Sequence, residues 1–206
     1  PIRQCFEHND TLQDKKLIVQ KLGLDENLPR VLIMGGCHGF GPMKNMVQEF
    51  SDSPRKFQVL VVTGLNTKMR RELNYLKSQL NIPLQVYGYI DNIHELMSVS
   101  DILITKPGGM TISEALVKRI PMIIINPLPG QEERNSQFLV NSSAAVRVNN
   151  GKEVIEMVLK LIDNKAWSGR LQKSMDELVI HYSSKRIVDA VIQHLSGLEE
   201  KEFAYA

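Results

Sequence analysis

Four stretches of this chain carry residue types whose spacing could do chemistry. The first is Gly35-Gly36-Cys37-His38-Gly39-Phe40-Gly41-Pro42, with four glycines in seven residues. Backbone without Cβ atoms can approach a ligand closely, and amides at a following helix N-terminus favour an anion, typically phosphate. A plain tight turn would use the same residues. The second is Thr105-Lys106-Pro107-Gly108-Gly109-Met110-Thr111-Ile112-Ser113-Glu114. Its Pro-Gly-Gly turn leads into a helix, with Thr111 as candidate N-cap and Glu114 three residues on, the pattern of a capping box. Equally, the Glu114 carboxylate could lie in a cleft and accept hydrogen bonds from the two neighbouring hydroxyls of a ribose. The third is Asn126-Pro127-Leu128-Pro129-Gly130-Gln131-Glu132-Glu133-Arg134-Asn135, a stiff loop before a helix. Acids in a first helical turn often only complement the helix dipole, but Gln131 and Asn135 beside them offer both donors and acceptors to a polyol. The fourth is Tyr87-Gly88-Tyr89-Ile90, where an aromatic and an aliphatic side chain could form a slot for a planar base, or simply belong to the core.

The first loop is neither of two better-known phosphate motifs. A G-x-G-x-x-G fingerprint would need glycine where Lys44 follows Gly39-x-Gly41, and the second apolar run ends in Thr63-Gly64 rather than in the acid that would hold a dinucleotide ribose. No Gly-Lys-Ser/Thr follows to make a P-loop.

These stretches are positioned by an alternation of short apolar runs and helical-period segments. Strands are predicted at 31–34, 57–62, 84–87, 101–104, 122–125 and 144–148, each apolar on both faces, as in a parallel sheet covered on both sides. Helices are predicted at 43–50, 67–80, 93–99, 111–118 and 134–141 as crossovers, with a further helix at 12–22. Residues 152–196 read as three helices. Two of their stripes, Val154-Val158-Leu161-Ile162 and Ile187-Val188-Val191-Ile192-Leu195, are expected to face the core. Residues 1–28 have no partner in this scheme, and 199–206 read as a frayed terminus. The expectation is one α/β domain over 1–206, a Rossmann-like doubly wound sheet with a lead-in at 1–28 and a helical tail at 152–206. In such a sheet ligands bind outside the C-terminal ends of the strands, where all four stretches fall.

Composition narrows the function classes. The net charge is +2 with basic residues dispersed, so nucleic acid is not an expected partner. Cys5 and Cys37 have neither metal-ligand nor disulfide-framework spacing, which points to a reducing compartment. No apolar run nears the ~18 residues of a membrane span, and the polar opening Pro1-Ile2-Arg3 is not expected to be a signal peptide. The first residue is Pro1 rather than Met, and the expectation is a domain of a longer protein.

Residues 106–121, KPGGMTISEALVKRIP, continued by NPLPGQEERN at 126–135, resemble the donor domain of the diacylglycerol glycosyltransferases of glycosyltransferase family 28. These are the processive bacterial glucosyltransferases and the monogalactosyldiacylglycerol synthases. Cys37-His38-Gly39 is more similar to the bacterial members, and Arg119 stands where the family usually has glycine. The resemblance covers about residues 1–148 and implies the C-terminal half of a GT-B enzyme. It would bind UDP-glucose or UDP-galactose as a substrate, with no cofactor and no metal. A separate N-terminal domain would supply the general base and the diacylglycerol or glycolipid acceptor site. The full-length protein would be peripheral to the inner, cytoplasmic face of a bacterial membrane. Carried over residue by residue, Glu114 is implied to bind the uridine ribose, Gln131 and Glu132 the hexose hydroxyls, and Tyr89 and Ile90 the uracil. Arg3 and the loop containing Gly36, His38, Gly39 and Gly41 are implied to neutralise the diphosphate. Lys106, Pro107, Gly108, Gly109, Thr111, Pro129, Gly130 and Asn135 complete the implied donor site. Rival readings are a GT-B transferase with a polyprenyl-linked or other acceptor, and a UDP-N-acetylglucosamine 2-epimerase.

Overall fold

The computed structural model describes residues 2–7, 10–39, 41–179 and 183–203. Six strands form one fully parallel sheet: β1 (Arg30–Met34), β2 (Gln58–Val62), β3 (Leu84–Tyr87), β4 (Ile102–Thr105), β5 (Met122–Ile124) and β6 (Ala145–Arg147). Their order across the sheet is β3-β2-β1-β4-β5-β6. Register follows the apolar runs, with Leu32 opposite Leu60 on one side and Leu103 on the other.

The runs are apolar on both faces because both faces are covered. Val31, Ile33, Val59, Val61, Ile102, Ile104 and Ile123 point into one core with α2 (Met43–Ser51), α3 (Thr67–Leu76) and α7 (Gly151–Asp163). Leu32, Leu60, Leu103, Met122 and Ile124 point into the other. That second layer contains α1 (Leu12–Lys21), α4 (Ile93–Val99), α5 (Gly109–Val117), α6 (Gln131–Asn141) and Met175 of α8 (Lys165–Leu178). The period-two alternation of each strand thus assigns every side chain to one layer.

Five expectations change. First, the lead-in is not without a partner. Phe6 ends a short 3-10 turn at Gln4–Phe6 and is fully buried, Val19 and Leu24 join the second core, and the Asp10 carboxylate accepts a 2.6 Å hydrogen bond from Lys118, the C-cap of α5. Second, the capping box is not at Thr111 and Glu114. Helix α5 begins at Gly109 with Gly108 as its N-cap, because the Pro-Gly-Gly turn lets the helix start two residues earlier. A capping box exists instead at Thr11 and Asp14, which open α1. Third, α6 extends three residues before the predicted 134–141 segment and starts at Gln131, so Gln131 and Glu132 lie in its first turn, as the Gln-Glu-Glu pattern after Gly130 implies. Fourth, the stripe from Ile187 to Leu195 on α9 (Ser183–Phe203) does not face the core: its five apolar side chains are 51–57% exposed. The 154–162 stripe is buried as expected. Residues 199–203 are helical rather than frayed, and 204–206 lie outside the described residues.

Candidate functional site

The chain direction across the sheet reverses between β1 and β4, so the loops that follow these strands diverge and leave a crevice between them. A cavity of about 240 Å³ lies there, lined by Gly35, Gly36, Cys37 and His38 after β1, Lys106, Gly108 and Thr111 after β4, and Leu128 and Glu132 at α6. Of the residues singled out in the sequence, Gly36, His38, Lys106, Gly108, Thr111 and Glu132 are brought together here. Gly35, Cys37 and Leu128 are additional lining residues; all three fall within the stretches already noted.

The walls are built from backbone contacts that depend on glycine. Gly39 has φ +58°, and a Cβ there would stand 2.2 Å from the Thr63 carbonyl oxygen. Gly64 on the next loop has φ +56°, and its Cβ would meet the Cys37 oxygen at 2.1 Å. The two loops therefore pack backbone to backbone, with Leu65 N–H donating to Cys37 O at 2.8 Å. Gly36, by contrast, has open space where a Cβ would point, and Gly41 likewise. Across the crevice, Thr105 Oγ1 donates to Met34 O at 3.0 Å and ties the ends of β4 and β1. Asn135 Nδ2 donates to Pro107 O at 2.9 Å, which fixes the Lys106–Gly108 turn to α6. Asn135 is thus a wall-builder with a buried Pro107 as its partner.

Two helices aim their N-termini at this end of the sheet. At α5 the N-cap Gly108 has no side chain to cap the first amides, and at α6 the N-cap Gly130 has φ +96° and likewise none. Uncapped amides with the positive helix-dipole end make an anion site, and Lys106 adds a full charge at the rim. Glu132 Oε2 accepts from the Leu128 N–H at 2.8 Å, closing the loop before α6. Gln131 is exposed in the same turn, its Nε2 near the open face of Gly109; Pro129 is exposed beside it.

Arg3 and Glu114 are not in this lining. Glu114 is buried one helical turn beyond Thr111, and Arg3 crosses from the lead-in to bond it: Nε and Nη2 donate to the same oxygen, Oε1, at 2.9 and 2.8 Å. Burial pushes the Glu114 carboxyl above the usual carboxylate range, and the Arg3 guanidinium opposes that push. The guanidinium also lies 4.8 Å over the ring of Phe6, which meets His94 of α4 edge-on. Ile90 packs on this same cluster, whereas Tyr89 is exposed after β3. The sequence features therefore sort into two groups on either side of α5: a glycine-lined anion crevice, and a carboxylate supported by Arg3 near the β3–α4 loop.

A larger cavity, about 620 Å³, opens at the opposite end of the sheet beside Arg30, Asp101 and Lys118. The strands begin there; α4, α5 and α7 end at its wall, whereas α1 and α8 begin at it, so the helix dipoles oppose one another. Arg30, Lys118 and Arg119 at its wall already pair with Asp101, Asp10 and Asp176.

Comparison with known proteins bears on the family and the fold. The chain is 34% identical over 207 residues to a processive diacylglycerol beta-glucosyltransferase of Bacillus subtilis, covering 99% of this chain and 53% of that protein. It is 36% identical over 205 residues to the protein of the same description from Bacillus licheniformis, covering 98% and 52%. The chain thus spans about half the length of these relatives. In fold it matches the crystal structure of Anabaena Alr3699/HepE in complex with UDP, with a TM-score of 0.74 at 14% identity over 95% of this chain and 56% of that one. Such a likeness concerns the fold, a GT-B glycosyltransferase half. The glycosyltransferase family 28 C-terminal domain model matches residues 30–191, and the chain belongs to that family.

Proposed function

We propose that this chain is the donor-binding half of an inverting transferase that moves a hexose from UDP to diacylglycerol or a glycolipid. The observation that carries the reading is the crevice between β1 and β4, where uncapped helix amides, the Gly35–His38 backbone and Lys106 converge. In this reading the diphosphate lies along the glycine loop and the ribose hydroxyls are accepted by Glu114. The hexose lies against the first turn of α6, where Gln131 and Glu132 reach its hydroxyls, and uracil lies at Tyr89 and Ile90. The relatives' description as glucosyltransferases favours glucose over galactose.

The chemistry follows from where charge develops. The acceptor hydroxyl oxygen bonds to the anomeric carbon as the bond from that carbon to the UDP oxygen breaks, with inversion. The electron pair leaves on the diphosphate, where fixed amides and Lys106 stabilise it without reorganisation. The hydroxyl proton goes to a general base on the facing domain of the longer protein. That protein acts at the inner face of the membrane as a peripheral enzyme; among the described residues here no helix is long and apolar enough to cross a membrane. Calorimetry with UDP, ADP and NAD tests the donor reading. UDP is expected to bind at least tenfold more tightly than ADP, ~1.4 kcal/mol, and NAD not at all. Equal affinity for UDP and ADP removes the reading.

A further inference from the structure

The Arg3–Glu114 pair has a geometry that its charges alone do not require. An arginine facing a carboxylate usually engages both oxygens in parallel. Here Nε and Nη2 both go to Oε1, and Oε2 accepts no hydrogen bond among the described residues. The arrangement is held from behind. Arg3 lies over the ring of the fully buried Phe6, so its plane is fixed by packing as well as by charge. Glu114 is 5% exposed, so the free oxygen has only a narrow opening toward solvent.

We propose that Arg3 is a positioning residue for the Glu114 carboxylate, filling Oε1 so that Oε2 remains the acceptor for a ribose hydroxyl of the bound nucleotide. This rests on the donor-site reading above, and it changes the role that family resemblance implies for Arg3. Contact with the diphosphate is not needed for it, although Nη1 makes no hydrogen bond among the described residues.

Protonation supports the geometry. Burial drives Glu114 toward its neutral form, and Arg3 works against that. The other groups facing this carboxylate are few. His94 of α4 stands across the Phe6 ring with its own pKa pushed down by burial, and Lys118 and Asp10 are closed on each other. Without Arg3, nothing of opposite charge among the described residues is in contact with Glu114. The carboxyl would then take up a proton nearer neutral pH and lose its charge-assisted bond to the ribose.

The test compares UDP with 2′-deoxy-UDP and 3′-deoxy-UDP. All three carry the same base and diphosphate, so any direct contact of Arg3 with phosphate cancels in the ratio of affinities. The wild-type chain is expected to lose roughly ten- to a hundredfold in affinity for whichever deoxy ligand lacks the bonded hydroxyl. In Arg3→Gln that penalty should shrink toward the value in Glu114→Gln at neutral pH and return as the pH is raised. Arg3→Lys, which keeps the charge but not the fork, should lie between. Melting temperatures of all variants establish folding, which the exposed half of Arg3 makes tolerant of change. If Arg3→Gln weakens UDP while the deoxy penalties stay as in wild type at every pH, the positioning role is wrong and Arg3 serves only the diphosphate. A wild-type chain with no deoxy penalty, or one that survives Glu114→Gln, overturns the assignment of Glu114 itself and the proposal with it.

Discussion

At the scale of single residues, Glu114 is where local pattern and tertiary setting part. Three residues after a threonine it reads as half of a capping box, but α5 starts at Gly109 and the carboxylate sits in the second turn, buried and bonded to Arg3. Glu114→Gln keeps the volume and an acceptor but loses the charge. We expect UDP affinity to fall by about ten- to a hundredfold. The melting temperature should change little, because no cap is lost, the Gln oxygen can still accept from Arg3, and the cost of burying a carboxylate is relieved. Parallel calorimetry and thermal unfolding read both quantities; unchanged affinity makes the residue structural. Arg119 shows a different kind of residue effect. It has φ +53° one position past the C-cap of α5, a left-handed conformation that glycine adopts without cost. Its ion pair with Asp176 at 2.7 Å and the bond from Gln172 to its carbonyl tie this corner to α8.

Elements depend on contacts between loops rather than on propensity. The β1 and β2 loops touch through Gly39 and Gly64, so a methyl group at either place meets backbone oxygen. Gly36→Ala and Gly39→Ala both place alanine in the left-handed region, at about 1–2 kcal/mol each. Only the second also clashes, so it should lower stability more in a denaturant titration, whereas Gly36→Ala should mainly reduce UDP affinity. Equal destabilisation would mean that the loops separate freely. The lead-in is held by a second device. Burial works to raise the Asp10 carboxyl, but hydrogen bonds from Lys118 and Ser98 outweigh it and hold the group below the usual carboxylate range. A depressed carboxylate adds stability at neutral pH that disappears as pH falls through its folded-state value. Asp10→Asn should therefore cost about 1.5–3 kcal/mol at pH 7, and its gap from wild type should close in acid. A gap independent of pH would show that the charge is not what matters.

For the molecule as a whole, the parallel sheet places the loops after β1 and β4 at one end, and the anion crevice lies there, where α5 and α6 begin. A direct displacement also needs an acceptor and a base on a facing wall. The chain spans about half the length of its Bacillus relatives. We therefore expect the purified 206-residue chain to bind UDP yet form no glycolipid from UDP-glucose and diacylglycerol vesicles. Radiolabelled product from this chain alone would show that one half suffices.

The amino-acid sequence by itself determined the sheet, because runs such as Val59-Leu60-Val61-Val62 are apolar on both faces only when helices cover both sides. It also located the glycine loop and the Lys106–Gly109 turn, whose residue types follow from backbone geometry within a few positions. What spans many residues was decided only in three dimensions. The bond from Arg3 to Glu114 joins residues 111 apart, and no local pattern announces it. The lead-in reads as unattached until Phe6 and Asp10 meet α4 and α5, since a single buried ring and one ion pair leave no periodicity. Conversely, the stripes at 154–162 and 187–195 have the same period, yet one is buried and the other exposed. Helical spacing defines an apolar face; whether another element lies against that face depends on the path of the whole chain.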